Sequence, residues 1–148
     1  MRERVLTEPL AAARIEQVRN ECPMNEANDA LIRNFCDEWD TAKPDVQRLL
    51  TYFTDDAVYH NMPVAPIEGK EAIGQALTGL FSDVQSKGFE VRWQIATDDL
   101  VMNERVDHLE RDGKEIVIPV CGVFEIRDGK ISAWREYWDF GAWTQQSG

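Results

Sequence analysis

Two Arg-Asp-Gly-Lys stretches, at 111–114 and 127–130, constrain this chain more than any other feature. Asp-Gly closes tight β-hairpins, because such turns need residues that tolerate φ > 0. Each stretch has strand character on both sides. Leu100 to Leu109 precedes the first, Glu115 to Ile126 joins the two, and Ile131 to Phe140 follows the second. Upstream, Phe89, Val91, Trp93 and Ile95 alternate with Glu90, Arg92 and Gln94, and Asp98-Asp99 turns the chain into Leu100. The pattern predicts a four-strand antiparallel meander. Its 115–126 strand is apolar on both faces and therefore central.

The first half reads differently. Ala27, Leu31, Phe35 and Trp39 recur every four residues from Glu26 to Thr41, with Ile32 and Cys36 widening the stripe. This is an amphipathic helix, stopped by Pro44. Val46, Leu49, Leu50 and Phe53 mark a second helix, with Thr54-Asp55-Asp56 as its closing turn. A short strand, Ala57 to Met62, leads into an irregular loop at Pro63 and Pro66. A third helix carries Ile73, Leu77, Leu80 and Val84 on one face, with Gly88 as its C-terminal cap. Gly74 and Gly79 weaken that helix, so packing must hold it or something must approach closely. Residues 1–24 read as an N-terminal arm or an Ala-rich helix. The whole, 1–148, is expected to be a single domain. Its class is α+β, a curved sheet with three to four helices packed on one side.

Composition removes several function classes. A net charge of −11 opposes binding to nucleic acid or to an anionic membrane. No apolar run is long enough to span a bilayer, and Glu8, Arg14 and Glu16 interrupt any signal-peptide core, so a cytoplasmic protein is expected. Cys22, Cys36 and Cys121 are too dispersed for a disulfide framework and read as buried free thiols. His60 and His108 have no partner at metal-ligand spacing, so no transition-metal site is expected; the reading reached below needs no cofactor either.

The chemistry concentrates at Arg105 and Asp107. On a strand these share one face with Asn103, Leu109 and Val101. A buried Arg–Asp pair on an apolar face needs a further partner. Glu136, between Trp134 and Trp138 on the last strand, is the candidate. A two-residue turn at Asp112-Gly113 sets Asp107 opposite Ile118 and Arg105 opposite Val120. A two-residue turn at Asp128-Gly129 would send Glu136 to the far face. A three-residue loop with Gly129 left-handed instead pairs Val120 with Glu136 and puts both acids on Arg105. That register is the expectation. Tyr59 and Asn61 form another same-face pair; taken alone they read as ordinary edge residues. Trp93, Trp134 and Trp143 read as core or edge residues.

Tyr59-His60-Asn61-Met62-Pro63, Glu104-Arg105-Val106-Asp107 and Trp134-Arg135-Glu136-Tyr137-Trp138-Asp139 together resemble the signature stretches of the limonene-1,2-epoxide hydrolase family. Leu77-Thr78-Gly79-Leu80-Phe81, Gly122-Val123-Phe124 and Gly129-Lys130-Ile131 fit the same pattern, so the resemblance covers roughly Leu49 to Phe140. It implies a curved mixed sheet forming a cone closed by helices, the nuclear transport factor 2-like (cystatin-like roll) fold shared with ketosteroid isomerase. It also implies a homodimer, and hydrolysis of a small apolar epoxide by water without metal or covalent intermediate. Carried over by position, Asp107 is the general acid, Arg105 bridges the two acids, and Tyr59 and Asn61 hold the water. The family's second acid is an Asp directly after Trp-Arg; here Glu136 stands there, one methylene longer.

Epoxide opening needs a proton donor at oxygen and a base on water, which two carboxylates sharing one Arg can supply. The expected substrate pocket comprises Met62, Leu80, Val84, Leu109, Ile118, Val120 and Trp138. The alternatives are a ketosteroid-isomerase-like or polyketide-cyclase-like enzyme, or a ligand-binding module, of the same fold. An isomerase gives Arg105 no clear task.

Overall fold

The computed structural model describes residues 24–148. The arm or helix expected over 1–24 lies outside them, apart from Met24, as does Cys22. Asn25 opens helix α1 (Glu26–Asp37) by accepting the Asn28 backbone N–H at 3.0 Å, and Glu26 and Asp29 favour the positive end of its dipole. Asp45 caps the short α2 (Val46–Leu50) in the same way. Strand β1 (Phe53–Asn61), the brief β2 (Ile67–Glu68) and helix α3 (Lys70–Leu80) follow. The meander is β3 (Val84–Ala96), β4 (Leu100–Arg111), β5 (Lys114–Arg127) and β6 (Lys130–Trp138), and helix α4 (Phe140–Ser147) ends the chain.

One six-stranded mixed sheet results, in the order β2-β1-β6-β5-β4-β3. β5 is central, as its two apolar faces required. The only parallel pairing among the described strands joins β1 to β6 and sets Tyr59 beside Trp134 and Asn61 beside Glu136. That pairing brings the early strand to the acid on the last one. The concave face packs on the helices. Phe35 is the hub: fully buried, it meets Trp39, Tyr52, Phe53, Phe124 and Trp134 edge-on. Gly74 serves close approach, since a Cβ there would lie 2.8 Å from Leu50 Cδ1.

Several expectations are corrected. The α1 stripe is rotated: Ala27 is exposed, and Ile32, Phe35 and Cys36 are buried, with Trp39 buried just beyond the helix. Thr54-Asp55-Asp56 lies within β1, because Phe53 and Ala57 both enter the core at strand spacing. Part of the expected Pro loop pairs as β2. Gly88 is no helix cap. It sits at a bulge in β3 with φ 111°, packed against Asp40. A second bulge between Val91 and Trp93 breaks the expected alternation and turns Trp93 and Ile95 outward, leaving them 74% and 69% exposed. Cys121 is exposed rather than buried. Phe140 opens α4 instead of ending a strand, because Asp139 caps the Gly141 and Ala142 amides at 2.8 and 3.3 Å.

The β5–β6 register is also corrected. Asp112 and Gly113, and Asp128 and Gly129, all have positive φ, so both hairpins close with two-residue turns. The second has no three-residue loop. A bulge beside Glu125 and Ile126 supplies the missing shift, pairing Ile126 with Ile131 but Glu125 with Ala133. Val120 therefore faces Trp138, and Gly122 faces Glu136. The physical cause is the spacing of Ile131 and Trp134. Three residues apart, they can both be buried on one face only if the strand carries an extra residue between them.

Candidate active site

Arg105 is 1% exposed and the hydrogen bonds of its guanidinium are set on three sides. Nε donates to Asp107 Oδ1 at 2.7 Å and Nη2 to Asp107 Oδ2 at 3.2 Å, a bidentate fork. Nη2 also donates to Glu136 Oε2. Nη1 donates to Asn103 Oδ1 at 3.2 Å. The Phe89 ring lies beneath, 4.5 Å from the guanidinium carbon. Asn103 in turn donates to Gln94 Oε1 at 3.2 Å, and Gln94 donates to the Asp29 carbonyl and carboxylate at 3.0 and 2.8 Å. The arginine is thus tethered through two amides to α1.

Two acids on one cation cannot both ionise cheaply in a buried site. Burial lifts Asp107 above the ordinary carboxylate range, although Arg105 pulls it back. Burial pushes Glu136 up to about 8, Arg105 opposing and the Asp107 charge adding. For Arg105, burial lowers the pKa, but Glu136 and Asp107 outweigh it and hold the group cationic. The trio keeps one proton near neutrality, and that proton belongs to the pair of acids.

A cavity of about 250 Å³ opens beside this trio. Its polar lining is Tyr59, Asn61, Arg105, Asp107 and Glu136, with the apolar Leu80, Leu109, Ile118, Val120 and Trp138 around them. Of the residues expected to bind substrate, Met62 and Val84 do not line it. Val84 begins β3, buried opposite Arg111, because α3 ends at Leu80. Met62 is turned into the loop after β1, its N–H on the Glu136 carbonyl at 3.1 Å. Glu136 Oε1 is buried with no protein partner. Burial, then the Glu136 charge, raises the Tyr59 phenol well above its ordinary range, so it stays protonated.

Sequence reasoning missed Trp39, Phe89, Phe140 and Trp143, all in the cavity lining, the last two from α4. It also missed the task of Gly122. A Cβ there would fall 2.4 Å from Arg105 Nη1 and 2.8 Å from Asn103 Oδ1. A glycine between inward-facing Val120 and Phe124 was the available signal for close approach. Gly122→Ala is expected to push Arg105 off Glu136, cutting stability by about 1–3 kcal/mol, as a shift in urea midpoint would show.

This fold and this site define a cone-shaped α+β protein with an acid–arginine–acid centre. The chain belongs to the SnoaL-like domain family, whose match covers residues 32–134. It is similar to Epoxide hydrolase EphG of Mycobacterium tuberculosis, 39% identical over 88 residues. That match covers 57% of this chain and 56% of EphG, so the chain aligns with little more than half the length of that relative. Among solved structures, an LEH-like epoxide hydrolase of M. tuberculosis superposes with a TM-score of 0.70 at 26% identity, over 83% of this chain and 92% of that one. A putative polyketide cyclase of Xanthomonas campestris superposes with a TM-score of 0.71 at 18% identity, over 83% and 98%, which shows the shared fold alone. Among the described residues no helix is long and apolar enough to cross a membrane.

Proposed function

We propose that the chain hydrolyses small, mainly apolar epoxides to vicinal diols by a single acid/base step. The observation that carries this reading is Glu136 Oε1, a buried carboxylate oxygen without a protein partner, on a side chain that lines a cavity together with Tyr59 and Asn61. A water at that oxygen donates one hydrogen to Glu136. Asp107, which shares Arg105 Nη2 with Glu136, protonates the epoxide oxygen. The water oxygen forms a bond to carbon, the carbon–oxygen bond of the ring breaks, and the water's proton passes to Glu136.

Water donating to Oε1 favours ionised Glu136, and an epoxide oxygen accepting from Asp107 favours protonated Asp107. The bound pair therefore selects the reactive proton arrangement by differential hydrogen bonding. After the step the proton lies on Glu136, where burial and the Asp107 charge already favour it. A carbon-acid isomerase needs one base and gives Arg105 no clear task, whereas here Arg105 holds both acids. Incubating the protein with a cyclic epoxide and, separately, with a β,γ-unsaturated ketone tests the choice. Diol from the first supports hydrolysis; conjugated ketone from the second with no diol refutes it.

The reading extends to a homodimer. Trp93, Ile95, Met102 and Tyr137 lie exposed on the outer face of the sheet, where a second sheet could cover them. Trp93→Glu is expected to convert a dimer to monomer in sedimentation velocity; a wild-type chain sedimenting as a monomer at micromolar concentration would oppose the dimer.

A further inference from the structure

Trp138 was expected only to line the cavity, yet its indole Nε1–H points at Asn61 Oδ1, 2.5 Å away. An indole nitrogen donates and never accepts, so the Asn61 atom facing it must be the carbonyl oxygen. The amide NH2 of Asn61 is then the end presented to the cavity. The two residues sit on neighbouring strands: Asn61 is beside Glu136 in the parallel β1–β6 pairing, and Trp138 is two residues further on the same face of β6. Trp138 is itself held, edge-on to Trp143 at 6.3 Å and tilted against Phe140 at 5.7 Å, both from α4.

We infer that Trp138 is a positioning residue, which fixes the Asn61 amide so that it donates to the attacking water rather than accepting from it. This rests on the epoxide-hydrolase reading and sharpens it. A water at Glu136 has two hydrogens and two lone pairs. One hydrogen goes to Glu136 Oε1 and the other to the Tyr59 hydroxyl oxygen. The Asn61 NH2 occupies one lone pair, and the second remains for the epoxide carbon. An unfixed Asn61 could flip, accept a hydrogen from the water and turn the nucleophilic lone pair away. Placing an indole donor on the last strand, backed by a terminal helix, removes that alternative. Helix α4 thereby reaches the reaction through Trp138, although none of its polar atoms bonds to the acid–arginine–acid trio among the described residues.

The bond itself is read by NMR of ¹⁵N-tryptophan-labelled protein, independently of any activity. The Trp138 indole proton, assigned by its loss in Trp138→Phe, is expected well downfield of a solvated indole. Asn61→Leu is expected to move it upfield and speed its exchange with water. An indole resonance that Asn61→Leu leaves in place overturns the inference. The consequence is read by kinetics on a cyclic epoxide. Trp138→Phe keeps an aromatic ring in the cavity wall and is expected to lower kcat about tenfold with KM changed less than about threefold. A variant that alters KM alone shows Trp138 to be cavity wall only and also overturns it. A wild-type protein without diol product instead removes the epoxide-hydrolase reading, and the NMR shift still decides whether Trp138 fixes the Asn61 amide.

Discussion

Asp107→Asn is expected to stop turnover while leaving the fold in place. Asparagine keeps the outline of the side chain and one oxygen for Arg105, but it carries no proton to give the epoxide. The remaining Arg105–Glu136 pair is neutral overall, so no uncompensated charge is buried. Removing the Asp107 charge also removes one of the two causes that lift Glu136. The loss should be about 10²–10⁴-fold in kcat, the range of a removed general acid, with the thermal midpoint little changed. Retained turnover would remove Asp107 from the acid's role. Glu136→Gln should be equally inactive through loss of the base. Glu136→Asp should stay active, since it keeps a carboxylate on Arg105 and shortens its reach by one methylene.

The second large effect is on stability. Arg105→Met leaves Asp107 and Glu136 buried together without a cation, and breaking such a set from one side costs about 3–5 kcal/mol. The wild-type pH dependence has a definite sign. Both carboxylates titrate higher in the folded chain than their ordinary values of 3.8 and 4.5, Glu136 at about 8. Between about 4.5 and about 8 the folded chain therefore holds more protons than the unfolded one. Stability contributed by Glu136 is full below the lower value and is lost as pH rises through the upper one. Arg105→Met removes the charge that opposes both shifts, so its slope should be steeper and its loss smallest in mild acid. Urea midpoints between pH 5 and pH 8.5 check this. A variant equally destabilised at both ends would show that packing, not charge, accounts for the loss. Activity should also fall as pH rises past about 8, where the shared proton leaves the site.

Much of this was legible because local chemistry and global fold agree. The two Asp-Gly turns forced the meander, and the period of two put Asn103, Arg105 and Asp107 on one face. The first hairpin followed directly, with Asp107 opposite Ile118 and Arg105 opposite Val120. The second hairpin needed a bulge that no turn residue announces, and only the odd spacing of Ile131 and Trp134 points to it. Glu136 still reached Arg105, but from opposite Gly122 rather than Val120. The outward turn of Trp93 and Ile95 depends likewise on a bulge. Long-range pairing explains the rest. Nothing near Tyr59 or Asn61 says that their strand lies parallel to the last one. The end of α3 at Leu80 moved Val84 out of the cavity, and α4, with little apolar periodicity, gives no helix signal, so that its first residue, Phe140, reads as the end of the last strand.

The central claim is that water attacks the epoxide directly, with the acid–arginine–acid trio moving only protons. A single turnover in ¹⁸O-water, with enzyme in excess over a cyclic epoxide, tests it most directly. Direct attack predicts one ¹⁸O in every diol molecule formed and none in the protein. Unlabelled diol from the first turnover, with its new oxygen drawn from Asp107 or Glu136 and ¹⁸O then appearing in that carboxylate, would contradict it.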